Sequence, residues 1–172
     1  MIKYFIVVDC SGSAVSDDTS MVGMINDVTR DLISEIDSYN GVDVRVICYA
    51  NDAKVYWESS NGHGFLDLPE TAFGERSNLG KAYELIEKLV KTEKTALKDC
   101  AIALISDGES TDDYKKALSS LDEKDESFRV AISFGNYHYT TERHGVKDDR
   151  VFTKGVEDRD DFIEKAVEIL SK

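Results

Sequence analysis

The chain has 172 residues, of which 41% are hydrophobic and 32% charged, and a formal net charge of −13. A length of this order is most simply one domain, expected to span 1–172, and it can bury roughly 70% of the surface its unfolded form exposes without a disulfide or metal staple. The acidic balance argues against nucleic acid and anionic membrane as partners, since both need basic surface, but it leaves cation binding open.

In chain order, Tyr4-Phe5-Ile6-Val7-Val8 is short, apolar and partly β-branched, which predicts a buried strand. Met21, Ile25, Val28, Leu32 and Ile36 recur at spacings of three and four and predict an amphipathic helix over roughly 19–38, with Asp18 or Thr19 as its N-cap. Val42 to Tyr49 reads as a second strand. Asn51-Asp52 is a turn signal and Ala53 to Trp57 a third strand, so these two strands are expected to pair as an antiparallel hairpin. Residues 58–76 are polar, carry the only proline, Pro69, and read as a long loop. Leu79, Ala82, Tyr83, Ile86, Leu89 and Val90 mark a second helix, and Cys100 to Ile105 a continuous apolar strand. A helix over about 112–122, a strand from Arg129 to Phe134, a polar stretch over 135–150, a short strand at Val151-Phe152 and a closing helix through Phe162, Ile163, Ala166, Val167 and Leu170 complete the chain. Strands alternating with helices predict an α/β fold. The expected architecture is a doubly wound, mostly parallel central sheet with one antiparallel edge hairpin and helices on both faces.

Three cysteines, Cys10, Cys48 and Cys100, are widely spaced with no Cys-x-x-Cys, which argues against a disulfide framework or a zinc site. Cys48 and Cys100 fall in or beside strand patterns and read as core. Cys10 has no histidine near it in sequence and is not a candidate nucleophile. The five-residue apolar run near the start is too short for a signal peptide or a membrane span, so a cytoplasmic location is the default expectation.

The chemistry is concentrated where strands end. Asp9-Cys10-Ser11-Gly12-Ser13 directly follows the first strand and places a carboxylate and two hydroxyls at alternate positions, with Gly12 allowing a tight turn between them. Oxygen donors suit a hard cation, and open parallel sheets bind ligands outside the carboxyl ends of their strands. A second central strand runs through Ser106 into Asp107-Gly108. Ser77, within Arg76-Ser77-Asn78-Leu79-Gly80, precedes the second helix and adds another hydroxyl. The candidate metal set is therefore Asp9, Ser11, Ser13, Ser77 and Asp107. Each piece has an ordinary reading as well: Asp107-Gly108 as a turn, Ser77 as a helix N-cap, Asp-x-Ser-x-Ser as an Asx-turn loop. Their joint occurrence at these strand ends is what points to a site. Two carboxylates neutralise a divalent cation while hydroxyls add no charge. His138 and His144 with Glu142 share one polar loop and read as surface residues rather than a second metal site. Asp112 and Asp113 read as favouring the dipole of the helix they precede, and Tyr56 and Trp57 as covering the sheet edge.

On these residues the chain resembles the von Willebrand factor type A domain, and the constellation resembles that family's metal-ion-dependent adhesion site. The family's Asp-x-Ser-x-Ser motif is matched by Asp9, Ser11 and Ser13, its second-loop threonine position is held by Ser77, and its third-loop aspartate by Asp107. The resemblance covers essentially the whole chain. The run Ser106-Asp107-Gly108-Glu109-Ser110-Thr111-Asp112-Asp113 is similar to bacterial stand-alone members of the tellurium-resistance-associated type. The resemblance implies a non-enzymatic module holding Mg²⁺ or Mn²⁺, with Ser11, Ser13 and the second-loop hydroxyl on the metal and the aspartates often acting through water. It also implies a protein partner that supplies an Asp or Glu carboxylate, with neither nucleic acid nor membrane as a ligand, in a stress-response setting. Serine in place of threonine at Ser77 keeps the hydroxyl but loses the β-branch that restricts the rotamer, so a looser ligand is expected there. Two other readings stay open. One is a haloacid-dehalogenase-like phosphoryl-transfer enzyme with Asp9 as nucleophile, although Ser11 stands where that chemistry requires a second acid. The other is a structural domain with a vestigial site.

Overall fold

The first strand, β1 (Ile2–Asp9), lies at the centre of a six-stranded sheet, and its residues from Tyr4 to Asp9 are all buried. The computed structural model describes residues 1–15, 19–61, 67–68, 73–108, 110–121, 127–135 and 145–171. β1 pairs in parallel with β2 (Val42–Tyr49) on one side and with β4 (Cys100–Ser106) on the other. β2 pairs antiparallel with β3 (Ala53–Glu58), as the turn signal at Asn51-Asp52 predicts. β5 (Phe128–Ser133) and β6 (Val151–Phe152) extend the sheet in parallel beyond β4, giving the order β3-β2-β1-β4-β5-β6. The fold is thus α/β, mostly parallel with one antiparallel edge pair.

Helices cover both faces. Alternation along β1 sends Tyr4, Ile6 and Val8 to one side and Phe5 and Val7 to the other, the period-two pattern of a strand buried twice. The first side packs under α2 (Thr19–Ile36) and α5 (Arg159–Val167) through Ile25, Val28, Leu32, Phe162 and Ala166, and the Tyr4 hydroxyl donates to the Ala166 carbonyl at 2.8 Å. The second side packs under α3 (Leu79–Glu93) and α4 (Tyr114–Leu121) through Leu79, Tyr83, Ile86 and Ala117. α3 ends where Lys94 adopts a left-handed conformation, φ 55°, and its N–H caps the last turn on the Lys91 carbonyl.

Periodicity locates α2 well, with Ile25, Val28, Leu32 and Ile36 buried and Met21 half-buried, although the helix stops at Ile36 rather than 38. The short helix α1 (Gly12–Val15) has no apolar period of its own to announce it. Within the 58–76 stretch, Ser59–Asn61 form a 3-10 turn, and Pro69 lies outside the described residues. Cys10, Cys48 and Cys100 are all buried as free thiols. Among the described residues no helix is long and apolar enough to cross a membrane.

Candidate metal centre

The sheet reverses its direction of growth at β1: the chain adds β2 and β3 on one side, then returns to place β4 on the other. This switch point leaves a crevice outside the carboxyl ends of β1 and β4. Register carries the two carboxylates there. Val8 lies opposite Ile105, so Asp9 closes β1 level with Ser106, and Asp107 is the first residue past β4.

Asp9 is only 2% exposed and both of its oxygens are engaged. Oδ1 accepts the Ser11 N–H at 2.8 Å, which folds the Asp-x-Ser turn, and Oδ2 accepts the Ser77 hydroxyl at 3.0 Å from across the chain. The Ser11 and Ser13 hydroxyls lie 3.2 Å apart. Ser11, Ser77 and Asp107 are buried, whereas Ser13 is exposed at the start of α1. The five predicted residues therefore share one end of the sheet, four of them buried.

Burial and the nearby negative charge of Asp107 push the Asp9 carboxyl up to about 7, against the opposing hydrogen bonds from Ser11 and Ser77. Two buried carboxyls this close repel each other when both are ionised, and a cation between them removes that cost. The donor set, two carboxylates and three hydroxyls with no thiol or imidazole, fits a hard divalent ion. The Cys10 thiol is pushed far up by its hydrogen bond with Cys48 and by burial, so it is neither nucleophile nor ligand.

Ser77 is not the cap of α3: the N-cap is Asn78, and the Ser77 hydroxyl is spent on Asp9. The cap duty falls on a residue from another loop. Asp112 Oδ1 accepts the Gly80 N–H at 3.1 Å, so its carboxylate favours the N-terminus of α3 rather than of α4, the helix it precedes. Thr111 ties the same two loops together. Its N–H donates to the Ser77 carbonyl at 2.8 Å, its hydroxyl accepts the Ser77 N–H at 3.1 Å, and that hydroxyl donates to the Asn78 side-chain oxygen at 3.0 Å. Ser133 Oγ donates to the Asp107 carbonyl at 2.9 Å, and Ser106 Oγ accepts the Gly108 N–H at 2.8 Å. Gly108 takes φ 87°, and a Cβ on Gly135 would lie 2.7 Å from the Asp107 carbonyl oxygen, so the chain just past β5 runs against the Asp107 backbone.

These supporting residues were missed by sequence reasoning, because each interacts across loops and nothing in its local pattern marks it. Only Thr111 and Asp112 carried a signal, as part of the polar run after Asp107. Trp57, expected to cover the sheet edge, sits on the edge strand β3 and is buried against the core. His138, Glu142 and His144 lie outside the described residues, as does Asp18. Among the described residues no cluster of three or more His, Cys, Asp or Glu side chains forms a further metal site.

Residues 4–109 match the family model of the von Willebrand factor type A domain. No curated protein matches the chain. The fold is similar to that of proximal thread matrix protein 1 from the mussel byssus, with 15% identity and a TM-score of 0.76 over 98% of this chain and 48% of that one. A structure of the same mussel protein with a zinc-occupied MIDAS motif gives 17% identity and a TM-score of 0.74, covering 95% and 45% of the two chains. The ArnB paralog VWA2 from Sulfolobus acidocaldarius gives 21% and 0.64, covering 97% and 44%. The chain spans about half the length of these proteins, and likeness at such identity establishes the fold alone.

Proposed function

Because the chain belongs to the von Willebrand factor type A family, we propose that it is a divalent-metal-dependent protein-binding module, with Asp9, Ser11, Ser13, Ser77 and Asp107 holding Mg²⁺ or Mn²⁺. The observation that carries this reading is the pair of buried carboxyls at the switch point, with Asp9 locked between Ser11 and Ser77. The zinc-occupied MIDAS motif of the mussel protein supports a metal at the corresponding place in the fold. A hard divalent ion bound there supplies a Lewis-acidic position that a partner's Asp or Glu can fill.

The chain's own residues do the rest. Ser11 and Ser77 orient the Asp9 carboxylate. Thr111 and Asp112 join the Ser77 loop to the Asp107 loop, and Ser133 and the close approach of Gly135 fix the Asp107 backbone. On a chain of net charge −13, such a metal lets one acidic surface hold another. Of residues 14–18, 58–76 and 108–113, expected to form the rim that reads the partner, the described stretches tied to the site are 73–76 and 110–113.

We read the module as non-enzymatic, one domain over 1–172, cytoplasmic, and suited to a stress-type complex of the tellurium-resistance kind. The burial of Asp9 and the engagement of both its oxygens disfavour a phosphoryl-transfer nucleophile. Capture from lysate tests the reading. A partner is expected to be retained in Mg²⁺, released by EDTA and absent with Asp107→Ala. Equal capture in EDTA contradicts it, and a phosphatase activity that disappears in Asp9→Asn replaces it with the enzymatic one.

A further inference from the structure

Resting on the metal-site reading above, we propose that the partner segment carries, near its metal-binding carboxylate, an apolar side chain that packs on Phe73 and a second acidic group that meets Lys54. Among the described residues only three large hydrophobic side chains are exposed, Met1, Phe73 and Val156, and Phe73 is the one hydrogen-bonded to the metal motif. Its N–H donates to the Cys10 carbonyl at 3.0 Å, directly between Asp9 and Ser11, and the next residue, Gly74, forms a parallel bridge with Ser11.

The segment is held there by its backbone, and Phe73 keeps 36% of its surface exposed. A Cβ on Gly74 would lie 2.6 Å from the Asn51 side chain, whose oxygen accepts the Arg76 N–H at 2.9 Å, so residues 74–76 are pressed against the β2–β3 turn. The ring itself lies outside both core clusters. Lys54 Nζ sits 3.8 Å from the ring centroid, and the Tyr56 ring lies beside it at 6.2 Å between centroids. No carboxylate among the described residues forms an ion pair with Lys54, an exposed cation on a strongly acidic chain.

The ledge therefore offers an apolar face and a positive charge on a segment whose backbone is bonded to the metal motif. That combination suits an acidic segment with one apolar residue: a carboxylate for the metal, an aliphatic or aromatic side chain for the Phe73–Tyr56 face, and a further acid for Lys54. A rigid aromatic ring next to a charged anchor is the kind of surface where interface energy concentrates.

A displayed library of ten-residue peptides with one fixed central Asp, selected against the full chain in Mg²⁺, tests this. Enriched peptides are expected to release in EDTA and to share an apolar residue at one fixed position relative to the Asp. Phe73→Ser is expected to weaken them at least tenfold with Mn²⁺ affinity unchanged, and Lys54→Glu to weaken chiefly those with a second acid. Metal-dependent peptides without apolar preference, or unchanged binding to Phe73→Ser, overturn the ledge while leaving the metal site standing. A selection that yields no EDTA-sensitive peptide overturns the metal-site reading, and the ledge with it.

Discussion

Asp9→Asn is expected to stabilise the metal-free protein at pH 8 while abolishing its response to metal. The substitution is isosteric and keeps the local bonding: the side-chain oxygen still accepts the Ser11 N–H, and the new NH₂ donates to the Ser77 hydroxyl where Oδ2 formerly accepted from it. What changes is charge. Burial and Asp107 raise the Asp9 carboxyl from 3.8 to about 7, so the folded protein holds this proton more tightly than the unfolded chain does. The associated stability is fully present below about pH 4 and is lost as pH rises through about 7. At 1.36 kcal/mol per pH unit, that gap sets a ceiling on the order of 4 kcal/mol for the cost of ionised Asp9 at pH 8. With about 2–4 °C of Tm per kcal/mol at this size, and relaxation taking part of the cost, a rise of roughly 4–12 °C is expected in EDTA. Thermal unfolding of both proteins at pH 5 and pH 8, with EDTA and with Mg²⁺, gives the answer. The variant's advantage in EDTA should shrink at pH 5, and only the wild type should gain from Mg²⁺, by about 2.7 kcal/mol at 100 times the Kd. A variant less stable than wild type at pH 8 in EDTA, or an advantage independent of pH, refutes the electrostatic reasoning.

Ser77→Thr is expected to keep or tighten metal affinity by stiffening the hydroxyl, and isothermal titration showing tenfold weaker binding, about 1.4 kcal/mol, would contradict it. Gly135→Ala should cost about 1–3 kcal/mol in denaturant unfolding and lower metal affinity as well, because the contacts at 2.7 and 2.8 Å are to the Asp107 carbonyl oxygen and Cβ, which cannot swing aside. Gly80→Ala meets the Asp112 carboxylate at 2.6 Å and the Tyr114 Cα at 3.1 Å, so it should displace the carboxylate that caps α3 and destabilise the protein by the same measurement. Phe162→Ala removes a fully buried ring from the α2–α5 face and should cost about 3–5 kcal/mol, read as a lower Tm with metal binding intact.

The fold was legible because its strands are buried on both faces and its helices carry regular apolar spacing. β2 spans the predicted Val42–Tyr49, and even the two-residue β6 fell where Val151-Phe152 suggested. The placement of the candidate site was legible in outline, since three polar segments at strand ends and before a helix read as one constellation, and the fold brings Asp9, Ser11, Ser13, Ser77 and Asp107 to the same sheet end. What the sequence could not convey were the ties between loops. Asp112 precedes α4 yet caps α3, and Ser77 stands in a capping position yet bonds Asp9, because partners distant in sequence outcompete the local ones. Phe73 gave no signal either: in a polar loop a lone aromatic is uninformative until its backbone is found against Cys10.

Counting free Mn²⁺ by electron paramagnetic resonance during titration tests the central claim most directly, because it reads the metal itself without a partner. The account predicts one Mn²⁺ site per chain, displaced by excess Mg²⁺ and lost in Asp107→Ala and in Asp9→Asn. Mn²⁺ that stays free throughout the titration, or binds both variants as it binds the wild type, would contradict it.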